Sequence, residues 1–132
     1  MTIRALWPRA LAPLALMALI FYLSAQPSVG PELPAFTRVA AHFTEYFALA
    51  SLWLWALAPG LGRRAAPATA AIAVLYAISD EYHQSFVAGR HADPLDVLTD
   101  AAGAATACWI GWRLLQARGR ASMRRTQSSS RG

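Results

Sequence analysis

Four apolar segments joined by short connections rich in helix breakers predict an all-α fold, a four-span transmembrane helical bundle. Composition and charge placement point the same way. The chain is 56% hydrophobic and only 14% charged, against roughly 25% charged in soluble domains. All its basic residues are arginine, and they gather at the ends of the apolar runs, as in membrane proteins. A length of 132 residues fits one domain.

The first segment runs from about Ala10 to Ala25, behind Trp7 and Arg9. Leu23-Ser24-Ala25 is a poor signal-peptide cleavage site, so this segment is read as a retained span. The second runs from about Phe43 to Ala58 and includes Glu45; Pro59, Gly60 and Gly62 end it. The third covers about Ala66 to Ser79, and the fourth about Leu95 to Leu115, with Asp96 and Asp100 inside it. A span needs about 20 residues. The second and third reach that length only if His42, Glu45, Asp80 and Glu81 lie at the membrane edge or within it. Pro27, Gly30, Pro31 and Pro34 interrupt the first connection, and Gly89 and Pro94 bracket the third. Residues 1–116 form the transmembrane domain. Residues 117–132 are a basic tail, with Arg118, Arg120, Arg124, Arg125 and Arg131, too polar to build a core and expected to be disordered.

Arginine placement sets the orientation. Arg4 and Arg9 precede the first span, Arg63 and Arg64 follow the second, and the tail carries five more, whereas only Arg38 and Arg90 fall in the other connections. An excess of arginine marks the cytoplasmic side, so both termini are expected there. The acids give a separate check. Glu32, Glu45, Asp80, Glu81, Asp93, Asp96 and Asp100 all fall toward the outer side. The net charge of +5 does not make a nucleic-acid binder, because the arginines flank apolar runs instead of sharing a polar face with aromatics. The single Cys108 excludes an intramolecular disulfide and reads as a packing residue. The histidines lack the i, i+4 pairing of a helical zinc site, so neither metal nor cofactor is expected. Ser79 and Ser85 have no nucleophile-elbow context. Trp53, Trp55, Trp109 and Trp112 read as interfacial or lipid-facing aromatics.

The candidate site is the stretch from Asp80 to Gly103. It holds Asp80, Glu81, His83, Gln84, Arg90, Asp93, Asp96 and Asp100 between two apolar segments. Charge beside lipid is costly and marks function by default. At about 100° per residue, Asp96, Asp100, Gly103, Ala107 and Gly111 share one helical face, and Ala66, Ala70, Ala73, Ala77, Asp80 and Gln84 another. Small residues let membrane helices approach closely, which would bring the two polar ends together. His42 and Glu45 add the outer end of the second helix. The ligand-binding candidates are therefore His42, Glu45, Asp80, Glu81, His83, Gln84, Arg90, Asp96 and Asp100. Glu81 and His83 are the candidates for acid–base chemistry. Arg90 suits an anionic group, or else pairs with an acid to fix the loop. Asp93, before Pro94, suits a helix N-cap. His91 reads as a solvated loop residue.

These residues resemble the VanZ-like family of bacterial membrane proteins. Tyr22-Leu23-Ser24-Ala25-Gln26-Pro27 is similar to its F-x-S-S-Q-P segment. His42, Glu45 and Tyr46, with Arg38 before them, resemble its K-x-x-H-F-x-x-Y region. Asp80-Glu81-Tyr82-His83-Gln84, then Phe86, Gly89-Arg90 and Asp96-Val97, match D-E-x-H-Q-x-F-x-P-G-R-x-x-x-x-x-D-V, with Ala88 in place of the proline. Asp100 stands where asparagine is common. The family takes its name from a protein associated with teicoplanin resistance. The resemblance implies a multi-pass protein of the bacterial plasma (inner) membrane with an envelope role. Its partners would be membrane lipids and a lipid-linked cell-wall precursor or lipoglycopeptide. The alternatives are a membrane enzyme acting on a lipid-linked substrate and a small proton-coupled transporter.

Overall fold

The computed structural model describes residues 3–27 and 34–129. Glu32, Gly30, Pro31 and Arg131 lie outside the described residues. Within them the chain is all-helical: α1 (Ile3–Ser24), α2 (Ala35–Leu61), a single 3-10 turn (Gly62–Arg64), α3 (Ala65–Gln84) and α4 (Pro94–Ser129). The four helices correspond to the four apolar segments, but each is longer than its segment. α2 passes through Pro59 and ends at Gly62, whose N–H still bonds the Ala58 carbonyl and whose φ of 53° turns the chain out of the helix. That left-handed conformation suits glycine alone among common residues. Pro8 and Pro13 lie inside α1; each removes one ladder hydrogen bond.

The basic stretch 117–132, expected to be disordered, is helical as far as Ser129. Gln, Ala, Arg and Met are good helix formers. They extend a helix already formed, so no new nucleus is needed.

α2 is the central helix. It packs most extensively on α4, and it also touches α1 and α3. The core is built largely of alanine: Ala50, Ala56, Ala65, Ala66, Ala73, Ala77, Ala104 and Ala107 are buried with Ile20, Tyr46 and Leu49. Both predicted stripes face inward, with Ala66, Ala73, Ala77, Asp80 and Gln84 buried on α3 and Asp96, Asp100, Gly103 and Ala107 on α4. A Cβ at Gly103 would overlap the Phe43 carbonyl oxygen, so α2 and α4 touch there backbone to backbone.

The radial distribution of polarity is inverted relative to a soluble bundle. Ser24, Thr69, Asp80, Glu81, Gln84, Asp96 and Asp100 are buried, while Leu11, Leu19, Phe36, Trp55, Leu75, Ile78, Leu98 and Trp109 are exposed on all four helices. Trp55, Trp109 and Trp112 are exposed as expected. Trp53 instead packs against the core, because it shares the inward face of α2 with Leu49 and Ala50.

Among the described residues, one helix is long and apolar enough by composition to cross a bilayer, over Trp7–Ser24 with a mean hydropathy of 1.4. α2, α3 and α4 have 27, 20 and 36 residues, enough length at about 1.5 Å per residue. Their hydropathy is diluted by the polar residues at their ends and, in α4, by the arginines.

Candidate functional site

The C-terminal ends of α1 and α3 and the N-terminal ends of α2 and α4 meet at one end of the bundle, and the described acids gather there. The site begins with the connection from α3 to α4. Gly89 takes φ of 74°, which turns the chain so that Arg90 N–H bonds the Val87 carbonyl at 3.1 Å. Asp93 caps α4 as its position before Pro94 suggests, Oδ1 accepting the Leu95 N–H at 2.9 Å. Buried Glu81 holds the same residue from α3, its Oε1 accepting the Asp93 backbone N–H. Glu81 thereby fixes the start of α4 against the end of α3.

A second group joins α2 to α4. His42 Nδ1 lies 2.9 Å from Asp100 Oδ1, and its Nε2 lies 3.6 Å from Asp96 Oδ2. Both ring nitrogens thus face carboxylates. Four residues earlier on α2, Arg38 reaches Asp93 at 3.2 Å and Asp96 at 3.5 Å. The spacing of Arg38 from His42 on α2 matches that of Asp96 from Asp100 on α4, one turn in each case. The Asp96 and Asp100 side chains are 8% and 3% exposed, so the two His42 contacts are shielded far more than a surface ion pair, whereas those of half-exposed Arg38 are not.

A third group joins α1 to α3. Ser24 Oγ donates to Asp80 Oδ2 at 2.8 Å, and Gln84 Nε2 donates to the same oxygen at 3.0 Å. Arg90 spans both helices. Nη2 donates to the Leu23 carbonyl at 3.1 Å, Nε to the Gln26 carbonyl at 3.3 Å, and Nη1 to Gln84 Oε1 at 3.4 Å. A cation at the end of α1 also complements the helix dipole. Of the two roles open to Arg90, its geometry is that of a loop-fixing residue; its partners are carbonyls where an acid was expected.

Glu45 and Tyr46 lie between these groups. Glu45 is half-buried within electrostatic reach of His42, Asp80, Arg90 and Asp100. Tyr46, 1% exposed, is within reach of Glu45, Tyr76, Asp80 and Asp100. Side chains on a helix lean toward its N-terminus, so the Tyr46 ring points toward the polar end. Its hydroxyl and Asp80 Oδ1 are buried with no hydrogen-bond partner among the described residues.

Seven of the nine binding candidates fall into two contact networks at this end: His42, Glu81, Asp96 and Asp100 around Arg38 and Asp93, and Asp80, Gln84 and Arg90 around Ser24 and the end of α1. Glu45 joins them electrostatically. His83 is set apart. Two residues after Glu81, it points about 200° away around α3, where its ring stacks on Phe21 of α1 at 4.3 Å. Its Nδ1 is buried without a partner among the described residues. Glu81 and His83 thus do not face a common point. His91 is exposed in the loop. Among the described residues, no group of three or more His, Cys, Asp or Glu is arranged to hold a metal ion.

Ser24 and Tyr46 escaped the sequence reading of the site. Both lie inside motif segments, but a serine before Gln26-Pro27 looks like a helix stop, and a tyrosine in an apolar run looks like core.

A model of the VanZ/LLP1 family matches residues 10–116, a stretch that contains every polar contact of this end of the bundle. The chain belongs to the VanZ/LLP1 family. The VanZ/LLP1 match starts within α1, takes in the whole of α2 and α3, and stops inside α4 at the point where its apolar stretch gives way to arginines. The family is generally membrane-associated. No curated protein and no solved structure is significantly similar to the chain.

Proposed function

We propose that this VanZ/LLP1 protein spans the bacterial plasma membrane four times, with both termini cytoplasmic and the polar end facing outward. There it binds the headgroup of an envelope lipid, a lipid-linked cell-wall precursor or a lipoglycopeptide of the teicoplanin type. The observation that carries this reading is the inverted polarity: carboxylates inside at one end, large apolar side chains outside on every helix. Buried acids are costly beside lipid, and a large exposed apolar surface is costly in water. A membrane setting resolves both, with the acids in the bundle interior and the apolar faces toward lipid.

Charge supports the orientation. Arg9, Arg63, Arg64, Arg118 and Arg120 lie toward the end opposite the acids. The two exceptions are engaged locally, Arg38 by Asp93 and Asp96 and Arg90 by backbone carbonyls. Two arginines on that side against five on the other still give the excess that the rule places inside.

Binding is favoured over turnover because Glu81 and His83, the acid–base candidates, diverge around α3. Asp80 and Tyr46 are better placed, since each offers a buried polar atom without a partner among the described residues. The ligand group that suits Asp80 is a hydrogen-bond donor. Arg90 then acts as a positioning residue for Gln84 and the end of α1.

The test expresses the chain, Asp80→Asn and Glu81→Gln in a teicoplanin-susceptible host. It measures the inhibitory concentration and the lipids that co-purify. Raised tolerance and a retained lipid, both lost in Asp80→Asn, support the reading. Equal behaviour of wild type and both variants in the two measurements refutes it.

A further inference from the structure

A second feature lies at the opposite end of the bundle. Between α2 and α4 runs a lateral groove of about 250 Å³. Its walls are Phe47, Leu54 and Trp55 from α2 and Ile110 and Leu114 from α4, with Gly111 at its base. Ser51 also lines it, but its hydroxyl donates to the Phe47 carbonyl at 2.8 Å. Arg118 closes the groove at one end. It is exposed and makes no hydrogen bond or ion pair among the described residues. Arg9 does not line the groove and is engaged by Trp55, 5.1 Å from its ring centroid and donating to its carbonyl, which leaves Arg118 as the cation at the groove. No carboxylate lines the groove, and the described acids lie at the other end of the bundle.

We infer that this groove holds one acyl chain of an anionic phospholipid, with its phosphate on Arg118. The inference rests on the membrane placement proposed above and adds a site to it. An apolar channel ending at an exposed guanidinium is complementary to an amphiphile with an acidic head. Arginine near the end of a span snorkels to the headgroup level, and a basic residue there attracts anionic lipid. A zwitterionic lipid fills the same channel without a net charge for Arg118, and free phosphate leaves the apolar walls uncovered. Gly111 keeps the channel open, since a Cβ there would already reach Leu54 Cδ1.

The test is native mass spectrometry of the full chain extracted from membranes and exchanged into phosphatidylglycerol or phosphatidylcholine of equal chain length. Wild type retains phosphatidylglycerol about fivefold better, the factor expected from one arginine near the surface. Arg118→Ala brings the ratio close to one while lipid remains bound, and Arg120→Ala, whose side chain does not line the groove, leaves it unchanged. Gly111→Phe, or Ser51→Leu on the other wall if that variant does not fold, lowers retention of both lipids. Asp80→Asn abolishes the readouts of the polar end and leaves this ratio intact, which separates the two sites. A wild-type ratio of one, a preference that survives Arg118→Ala, or a dimer whose dissociation by Gly111→Phe leaves lipid retention unchanged overturns the inference.

Discussion

Three glycines spaced eight residues apart on α4 turn the close approach of α2 and α4 into a graded experiment. At Gly103 an added Cβ would overlap the Phe43 carbonyl oxygen and lie 3.1 and 3.2 Å from the Phe43 carbonyl carbon and Cα. All three are backbone atoms in the middle of a helix, so α2 as a whole must move. At Gly111 the nearest atom is Leu54 Cδ1, 2.7 Å away, the free end of a side chain that can rotate. At Gly119 nothing lies within 4 Å. Overpacking of this kind costs about 1–3 kcal/mol. Replacing glycine by alanine inside a helix returns about 1 kcal/mol at any of the three positions. That gain cancels when the variants are compared with one another. Gly103→Ala is therefore expected to be about 1–3 kcal/mol less stable than Gly119→Ala, with Gly111→Ala between them. Gly119→Ala, with no overlap to offset that gain, should exceed wild type by up to about 1 kcal/mol. The assay is reversible unfolding of the purified variants in one detergent, followed by far-ultraviolet circular dichroism. Phe43 follows His42, so displacing α2 also lengthens the His42–Asp100 contact. Equal stability of Gly103→Ala and Gly119→Ala would refute the backbone contact and with it the placement of α2 against α4.

Three further outcomes follow from the polar end. His42→Ala removes the ring that faces both Asp96 and Asp100; leaving those carboxylates buried is expected to cost on the order of 3 kcal/mol, and a double-mutant cycle with Asp100→Ala should show strong coupling in the same unfolding assay. Asp93→Ala loses the cap on the Leu95 N–H and should cost about 0.5–2 kcal/mol, whereas Asp93→Asn keeps the cap and loses only the half-exposed pair with Arg38, worth at most about 1 kcal/mol. Arg90→Lys should be nearly as destabilising as Arg90→Ala, because one ammonium cannot reach Leu23, Gln26 and Gln84 from the positions of a planar fork; full rescue by lysine in thermal unfolding would contradict the assigned contacts.

Most of the fold was legible because two periodicities agree. The alanine stripe of α3 and the Asp96–Gly111 stripe of α4 are helical repeats of small residues that end in polar ones, and both face inward; the expectation that their polar ends meet is corrected by the packing, which closes the α4 stripe on α2 at Phe43 and Leu54 and joins Asp80 to Ser24 of α1. Helix ends were less legible. Asp80 to Gln84 interrupt the hydropathy of α3, yet the helix continues through them because their polar groups are met by Ser24, Arg90 and Asp93 from distant parts of the chain. The helicity of residues 117–129 depends on continuation from α4, which composition of the tail does not reveal. For the site, residue type and spacing placed His42, Asp96 and Asp100 on inward faces. They could not say that Arg90 would turn to the end of α1, since its partners are backbone carbonyls of Leu23 and Gln26, chemically identical to any others. Nor could they separate His83 from Glu81 before the facing helices were known: whether a helix face meets α1 or α4 is a property of the packing.

The most direct measurement is the sidedness of the two ends. With Cys108 replaced by alanine, single cysteines at Ala88 and Arg63 are treated with a membrane-impermeant thiol reagent on intact cells and again after lysis. A four-span protein with its acidic end outward predicts that the position-88 cysteine reacts on intact cells and the position-63 cysteine only after lysis. Labelling of position 63 on intact cells with position 88 protected, or recovery of the chain in the soluble fraction, would contradict it.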